Sequence, residues 1–144
     1  MLNALKLENQ LCFPLYAASK EVIRHYKNVL GDLDMTYTQY IAMLILWEKK
    51  SVTVNELGSF LYLDSGTLTP MLKKMESKKL ITRTRSEMDE RKVKVEITEF
   101  GQSLKAKAES IPEKMSICMK LTKEEGETLY KLLYKLINTL QNDE

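Results

Sequence analysis

The stretch TVNELGSFLYLDSGTLTPMLKKMESKKL, Thr53 to Leu80, decides the fold, because two helix starts and one brief turn follow each other inside it. Thr53 with Glu56 forms a capping box, in which the two side chains satisfy backbone N–H groups that a first helical turn leaves open. It predicts a short helix to about Leu61. Asp64 is a good N-cap for a second helix over 65–79, with Leu68, Met71, Leu72 and Met75 as its inward stripe. Directly afterwards the period changes. ITRTR (81–85) and KVKVEI (92–97) alternate as strands do, and the polar segment Ser86 to Arg91 joins them as a hairpin loop. A short helix, a turn, a second helix and a basic hairpin together read as a winged helix-turn-helix.

Upstream, Thr36 with Gln39 is a second capping box and predicts a helix from Tyr37 to Lys49. Its centre, Ile41 to Trp47, is apolar all round and is expected to be buried. Leu11, Leu15, Ala18, Val22, Tyr26 and Val29 recur at helical spacing, and Gly31 ends that run. Pro14 is expected either to interrupt this helix or to restart it, which puts Cys12 beside a local break. Downstream of Thr98 the helical pattern returns. Leu129, Leu132, Leu133, Leu136, Ile137 and Leu140 share one face of a last helix, capped by Thr122 with Glu125. The expected order is three or four helices, a two-stranded wing and two further helices: a mainly α fold with a small β-wing. It divides into 1–35, 36–100 and 101–144 within one domain.

At 144 residues and 44% hydrophobic content the chain can bury a real core. No apolar run approaches the roughly 18–20 residues of a membrane span. The first ten residues lack the pattern of a signal peptide, so a cytoplasmic location is expected. The net charge is only +2, but residues 64–95 hold nine Lys/Arg against five Asp/Glu, a local surplus of +4. A positive middle on a mildly negative body suits a duplex binder. Behind Asp64, the outward face of the second helix offers Ser65, Thr67, Thr69, Lys73 and Lys74. The hydroxyls suit base edges or phosphates near a helix N-terminus, and the lysines suit phosphates. In the wing, Arg91 suits the narrow minor groove, with Asp89 placed to orient it by a salt bridge.

The two cysteines, Cys12 and Cys118, are not expected to form a structural disulfide in a cytosolic chain. The single histidine, His25, leaves too few ligands for zinc, and neither a metal nor a cofactor is expected. Read by itself, Cys12 is a small buried hydrophobe, and Tyr26 and Tyr37 are core aromatics.

LYLDSGTLTPMLKKME (61–76) with DERKVKVEIT (89–98) resembles the MarR family of winged-helix regulators. LCFPLYAAS (11–19) and LDMTYTQY (33–40) resemble its OhrR branch, the organic-hydroperoxide-responsive repressors. The resemblance implies a homodimer joined through its N- and C-terminal helices. Two recognition helices would enter major grooves of a palindromic operator, and the wings would reach the flanking minor grooves. The reduced protein would repress, and oxidation of Cys12 by an organic hydroperoxide would release the DNA. In the branch the matching thiol is hydrogen-bonded by two tyrosines, which fall here on Tyr26 and Tyr37. Cys118 falls roughly where two-cysteine members carry a resolving thiol. Resolution by an external thiol stays open.

Spacing restricts how tyrosines can serve Cys12. Tyr16 is one turn away and can be its neighbour. Tyr26 is 14 positions away, about 21 Å along one helix at the α-helical rise. If Tyr26 serves Cys12, as the resemblance implies, it must come from the partner subunit, with the two N-terminal helices antiparallel. Three other readings compete. A regulator of the same fold would be controlled by a small aromatic or acidic ligand held between the dimer helices and the reading domain. A thiol peroxidase lacks a general-base histidine, since His25 reads as a surface residue, so no enzymatic role is expected. A dimeric scaffold would not need a basic wing.

Overall fold

The structure is a computed structural model that describes residues 3–89 and 92–143. Helix α2, Tyr37–Lys49, is its central element. Its capping box forms as the sequence predicts, with Gln39 N–H donating to Thr36 Oγ1 at 3.3 Å and Thr36 N–H donating to Gln39 Oε1 at 3.2 Å. Tyr40, Ala42, Met43, Leu46 and Trp47 are buried, and the Trp47 indole donates to the Gly101 carbonyl at 2.9 Å. Leu44 is the exception to the expected burial. It is 44% exposed, because the elements packed on α2 leave one strip of it open.

Helix α1, Cys12–Val29, runs unbroken through Pro14. Pro14 is the third residue of the helix, where an N–H has no intrahelical acceptor and the ring meets no preceding turn. The break expected beside Cys12 is therefore the start of the helix itself. A short 3-10 turn, Gly31–Leu33, and a left-handed Asp34 (φ 50°) lead into α2.

The paired helices are α3, Val54–Leu61, and α4, Ser65–Ser77. Thr53 and Glu56 form the predicted capping box on α3, and Asp64 caps α4 by accepting from Thr67 N–H at 2.7 Å. The turn between them is tight. A Cβ on Gly58 would lie 2.7 Å from the Leu63 carbonyl oxygen. Pro70 removes one backbone bond inside α4, but the helix continues because Leu68, Met71, Leu72 and Met75 all bury beneath it. It stops two residues before the expected end. Lys79 turns left-handed (φ 61°), and Leu80 N–H returns to the Met75 carbonyl at 3.0 Å.

Strands β2, Ile81–Arg85, and β3, Val93–Ile97, form the wing, with Ile81 opposite Ile97 and Arg85 opposite Val93. The sheet has a third strand, β1 (Ser51–Thr53), which pairs antiparallel with β3 and gives the order β1-β3-β2. Three residues are too few to show alternation, so this strand was not expected. Buried residues from α2, α3, α4 and the sheet make one continuous core, to which Leu30, Leu33 and Met35 contribute from the α1–α2 connection.

After the wing, the two expected helices are four: α5 (Glu99–Ser103), α6 (Lys105–Ala108), α7 (Ile111–Met119) and α8 (Lys123–Asn142). Pro112 has no N–H to continue a ladder from α6, and the chain restarts around it. Two compact units divide after Ile111. In the second, Thr122 and Glu125 form the expected capping box on α8, and no residue of α8 is buried. Among the described residues no helix is long and apolar enough to cross a membrane.

Candidate nucleic-acid interface and thiol site

One side of α4, from Ser65 to Glu76, the start of α3 and the two long strands border a groove of about 560 Å³. Ser65, Thr69 and Lys73 line it from α4, Thr53 and Asn55 from the start of α3, and Arg83, Arg85 and Lys92 from the wing. Four cations and several hydroxyl or amide groups face one negative side chain there, Glu76. That carboxylate is already engaged. Arg83 Nη2 donates to Glu76 Oε1 at 3.2 Å and Arg83 N–H to Glu76 Oε2 at 3.1 Å. The hydrogen bonds and charge of Arg83 hold the Glu76 carboxyl below the usual carboxylate range. This pair pins the wing to the end of α4, and among the described residues the Arg83 Nε–H is buried without a partner. The groove is thus a positive concavity of the kind that takes phosphate.

The predicted reading residues are not equivalent within this geometry. Ser65, Thr69 and Lys73 line the groove, whereas Thr67 and Lys74 are exposed on α4 outside its lining. Thr69 spends its hydroxyl hydrogen on the Ser65 carbonyl at 2.8 Å. Asp64 is bound to its own helix, and hydrogen bonds from the Thr67 backbone and hydroxyl hold its carboxyl low. It shapes the start of the reading helix rather than presenting a free charge. In the wing, Lys92 N–H donates to the Asp89 carbonyl at 2.9 Å and closes the hairpin. Arg91 lies outside the described residues. Asn55, Arg83, Arg85 and Lys92 were not singled out from the sequence. Arg83 and Arg85 stand two apart on one strand face, and that alternation is the signal that could have found them.

Cys12 opens α1 and is exposed, which overturns its reading as a buried hydrophobe. Leu11 ahead of it makes no side-chain capping hydrogen bond to the first turn, where the positive end of the helix dipole lies. Tyr16, one turn on, is 60% exposed, with the Lys20 ammonium over its ring at 5.1 Å. His25 is exposed, as expected. At the other end of α1 lies an aromatic cluster. The Tyr26 ring centroid is 4.5 Å from that of Tyr37 and 5.8 Å from that of Tyr40. Tyr26 and Tyr37 are half-buried and pack against the core. Burial first, then the nearby Tyr37 and Tyr40, push the Tyr26 hydroxyl up, so it keeps its proton and remains a donor at neutral pH. Fourteen helical residues, about 21 Å, separate Cys12 from Tyr26. Within one chain the structure brings the two tyrosines together and holds both away from the thiol. Cys118 is exposed on α7.

A family model described as transcriptional regulator SarA/Rot matches residues 24–108. The organic hydroperoxide resistance transcriptional regulator of Bacillus subtilis (strain 168) is 54% identical over 139 residues, covering 94% of this chain and 92% of its own. The chain belongs to the MarR family of winged-helix transcriptional regulators, on its organic-hydroperoxide-responsive branch.

Solved MarR-type structures agree in fold. AbfR of Staphylococcus epidermidis, reduced and bound to DNA, superposes with a TM-score of 0.77 at 33% identity, covering 93% of this chain and 94% of its own. Overoxidized AbfR bound to DNA gives 0.75 at 34% identity over the same shares. Disulfide-formed AbfR gives 0.65 at 37% identity, covering 91% and 92%.

Proposed function

We propose that this chain is a homodimeric repressor that grips a palindromic DNA operator through its two α4 helices and wings, and that oxidation of Cys12 by an organic hydroperoxide releases it. One observation carries the reading: Cys12 opens the unbroken helix α1, Tyr26, packed on Tyr37 of α2, lies near its other end, and the first half of that helix is apolar and exposed. Leu11 is 86% exposed, and Phe13 and Leu15 are also open. Two such helices laid antiparallel cover each other and bring the partner's Tyr26 and the partner's Tyr37 to Cys12. The exposed apolar face of α8 supplies the rest of the dimer contact.

The chemistry balances without a cofactor. The Cys12 thiolate attacks the peroxide, the O–O bond breaks as an S–O bond forms, and the departing alkoxide takes a proton from solvent, so the products are a sulfenic acid and an alcohol. Tyrosine donors hold the anionic sulfur and then the new oxygen. A thiol, from Cys118 or from outside, attacks the sulfenic sulfur, giving a disulfide and water. AbfR sits on DNA both reduced and overoxidized, so we assign release here to the disulfide rather than to the overoxidized thiol.

An operator titration with and without organic hydroperoxide tests this. Wild type is expected to lose the operator on oxidation and Cys12→Ser to keep it. Without added thiol, Cys118→Ser should accumulate overoxidized Cys12 and stay bound; with added thiol it should form a mixed disulfide instead. Release of Cys12→Ser as readily as wild type would sink the thiol switch.

A second reading has its own support. A cavity of about 450 Å³ lies beside Tyr37, with Ile23, Leu30 and Met35 as apolar wall and Arg24, Lys27 and Lys78 as cations. It suits a small aromatic carboxylate as the controlling ligand. Loss of operator binding on titration with such an acid, in the absence of any oxidant, would favour this reading.

A further inference from the structure

We propose that Lys78 is a positioning residue that sets the reading helix against the tyrosine end of the fold and carries the oxidation signal between them. This rests on the thiol switch proposed above and names the route by which it reaches the DNA-facing surface.

Lys78 is the C-cap of α4, where its N–H returns to the Lys74 carbonyl at 3.0 Å. Its side chain crosses to the opposite end of α2. The ammonium donates to the Asp34 main-chain carbonyl at 2.6 Å and to Gln39 Oε1 at 3.3 Å, with the Asp34 carboxylate at 3.8 Å. Gln39 is buried, at 2% exposure. The same Oε1 accepts the Thr36 N–H and so closes the capping box of α2. Tyr37, the first residue of that helix, packs against Tyr26. One ammonium therefore joins three parts: the last turn of the reading helix, the first turn of the helix that carries Tyr37, and the link from α1.

Buried polar groups of this kind are satisfied in one arrangement and costly in most others. A displacement of Tyr37 shifts Thr36 and Gln39. Lys78 must then follow Gln39 or leave its buried oxygen short of a donor. Following it moves the end of α4, and with it Glu76 and the Arg83 bridge to the wing. The core beneath α4 resists sliding because it is close-packed. A polar tie at the rim of that core moves at less cost than the packing does.

A simpler role competes. If Lys78 only fastens α4 in place, its loss weakens operator binding equally in both redox states. The discriminating quantity is the ratio of operator Kd in oxidised protein to Kd in reduced protein, which measures coupling between sites. In Lys78→Met that ratio should fall by about tenfold relative to wild type, within the usual range of such couplings. Lys78→Arg keeps the charge and several N–H donors, and should restore most of it. Lys74→Met removes a charge from the same helix end without reaching α2, and should lower affinity in both states while leaving the ratio unchanged. If Lys78→Met melts too low to assay, Lys78→Gln replaces it with the same expectation. An unchanged ratio in Lys78→Met, or in Lys78→Gln where that replaces it, with wild type still released by peroxide, would overturn the role of Lys78. A wild type that holds its operator after peroxide would instead overturn the switch itself.

Discussion

The segment from α2 to β3 and the pair formed by the first half of α1 and the whole of α8 are built from equally apolar sequence, yet only the first closes on itself. In the first, Met43, Leu46, Leu57, Leu68, Leu72, Met75 and Val95 are all but fully buried. In the second, Leu11, Leu15, Leu132, Leu136 and Leu140 keep two-fifths or more of their surface open. Such a contrast separates a region that folds by its own contacts from one whose apolar surface needs a partner. Two copies of the chain meeting through the open faces would place the DNA-reading elements on the self-sufficient part and the thiol on the dependent part. On the proposed thiol switch, control would then reside where structure depends on association.

The contrast can be broken most forcefully in the core. Leu46→Ala removes a side chain with no exposed surface, and should cost about 2–5 kcal/mol of stability, with unfolding of the reading segment and loss of operator binding. Chemical denaturation of wild type and variant measures it. The paired change Leu132→Glu with Leu136→Glu should act differently. It should leave the near-UV signature of Trp47 in place while converting the dimer to monomer in sedimentation velocity. If the pair unfolded the α2–β3 core as Leu46→Ala does, the two regions would not be independent in the way their burial suggests.

Much of this was legible in the sequence, and the reasons are local. All three capping boxes, at Thr36, Thr53 and Thr122, form as read, because their geometry is fixed by residues three apart. The wing strands were marked by alternation. What escaped depended on distance or brevity. The third strand, Ser51–Thr53, is shorter than a period can reveal. The tie from Lys78 to Gln39 spans 39 positions, and the bridge from Glu76 to Arg83 joins a helix to a strand. The burial of Leu44 was misjudged because composition shows that a helix is apolar, not how much of it its neighbours cover. At the thiol, spacing along α1 already kept Tyr26 from Cys12 within one chain, and the unbroken helix through Pro14 keeps that separation.

A smaller effect sharpens the comparison. Thr53→Ala and Thr122→Ala remove the same kind of cap from α3 and α8, each worth about 1 kcal/mol to its helix. The first should lower the melting temperature independently of protein concentration beyond the trend of wild type. The second should steepen the dependence on concentration, because a helix held by a partner shares its stability with the association equilibrium. Melting curves over a hundredfold range of concentration compare the two slopes directly.

The smallest expected effect lies at the seam between the reading helix and the wing. Arg83 holds the folded-state Glu76 carboxyl below its unfolded value. A depressed acid contributes stability that is fully present above the ordinary carboxylate range and is lost as pH falls through the folded value. The pair is only partly covered, so solvent screens it and the contribution is modest. Glu76→Gln should therefore be less stable than wild type at neutral pH, and the gap should narrow as the solution is acidified below the usual carboxylate range. High salt at neutral pH should narrow it too, as expected of a partly solvated charge pair. Because Glu76 fastens β2 to α4, the same variant should let the wing stand less firmly against the reading helix, and operator affinity should fall with little change in overall stability. Equal stability of the two proteins at every pH, with equal operator affinity, would remove this pair from the reading surface and leave backbone pairing alone to hold the wing.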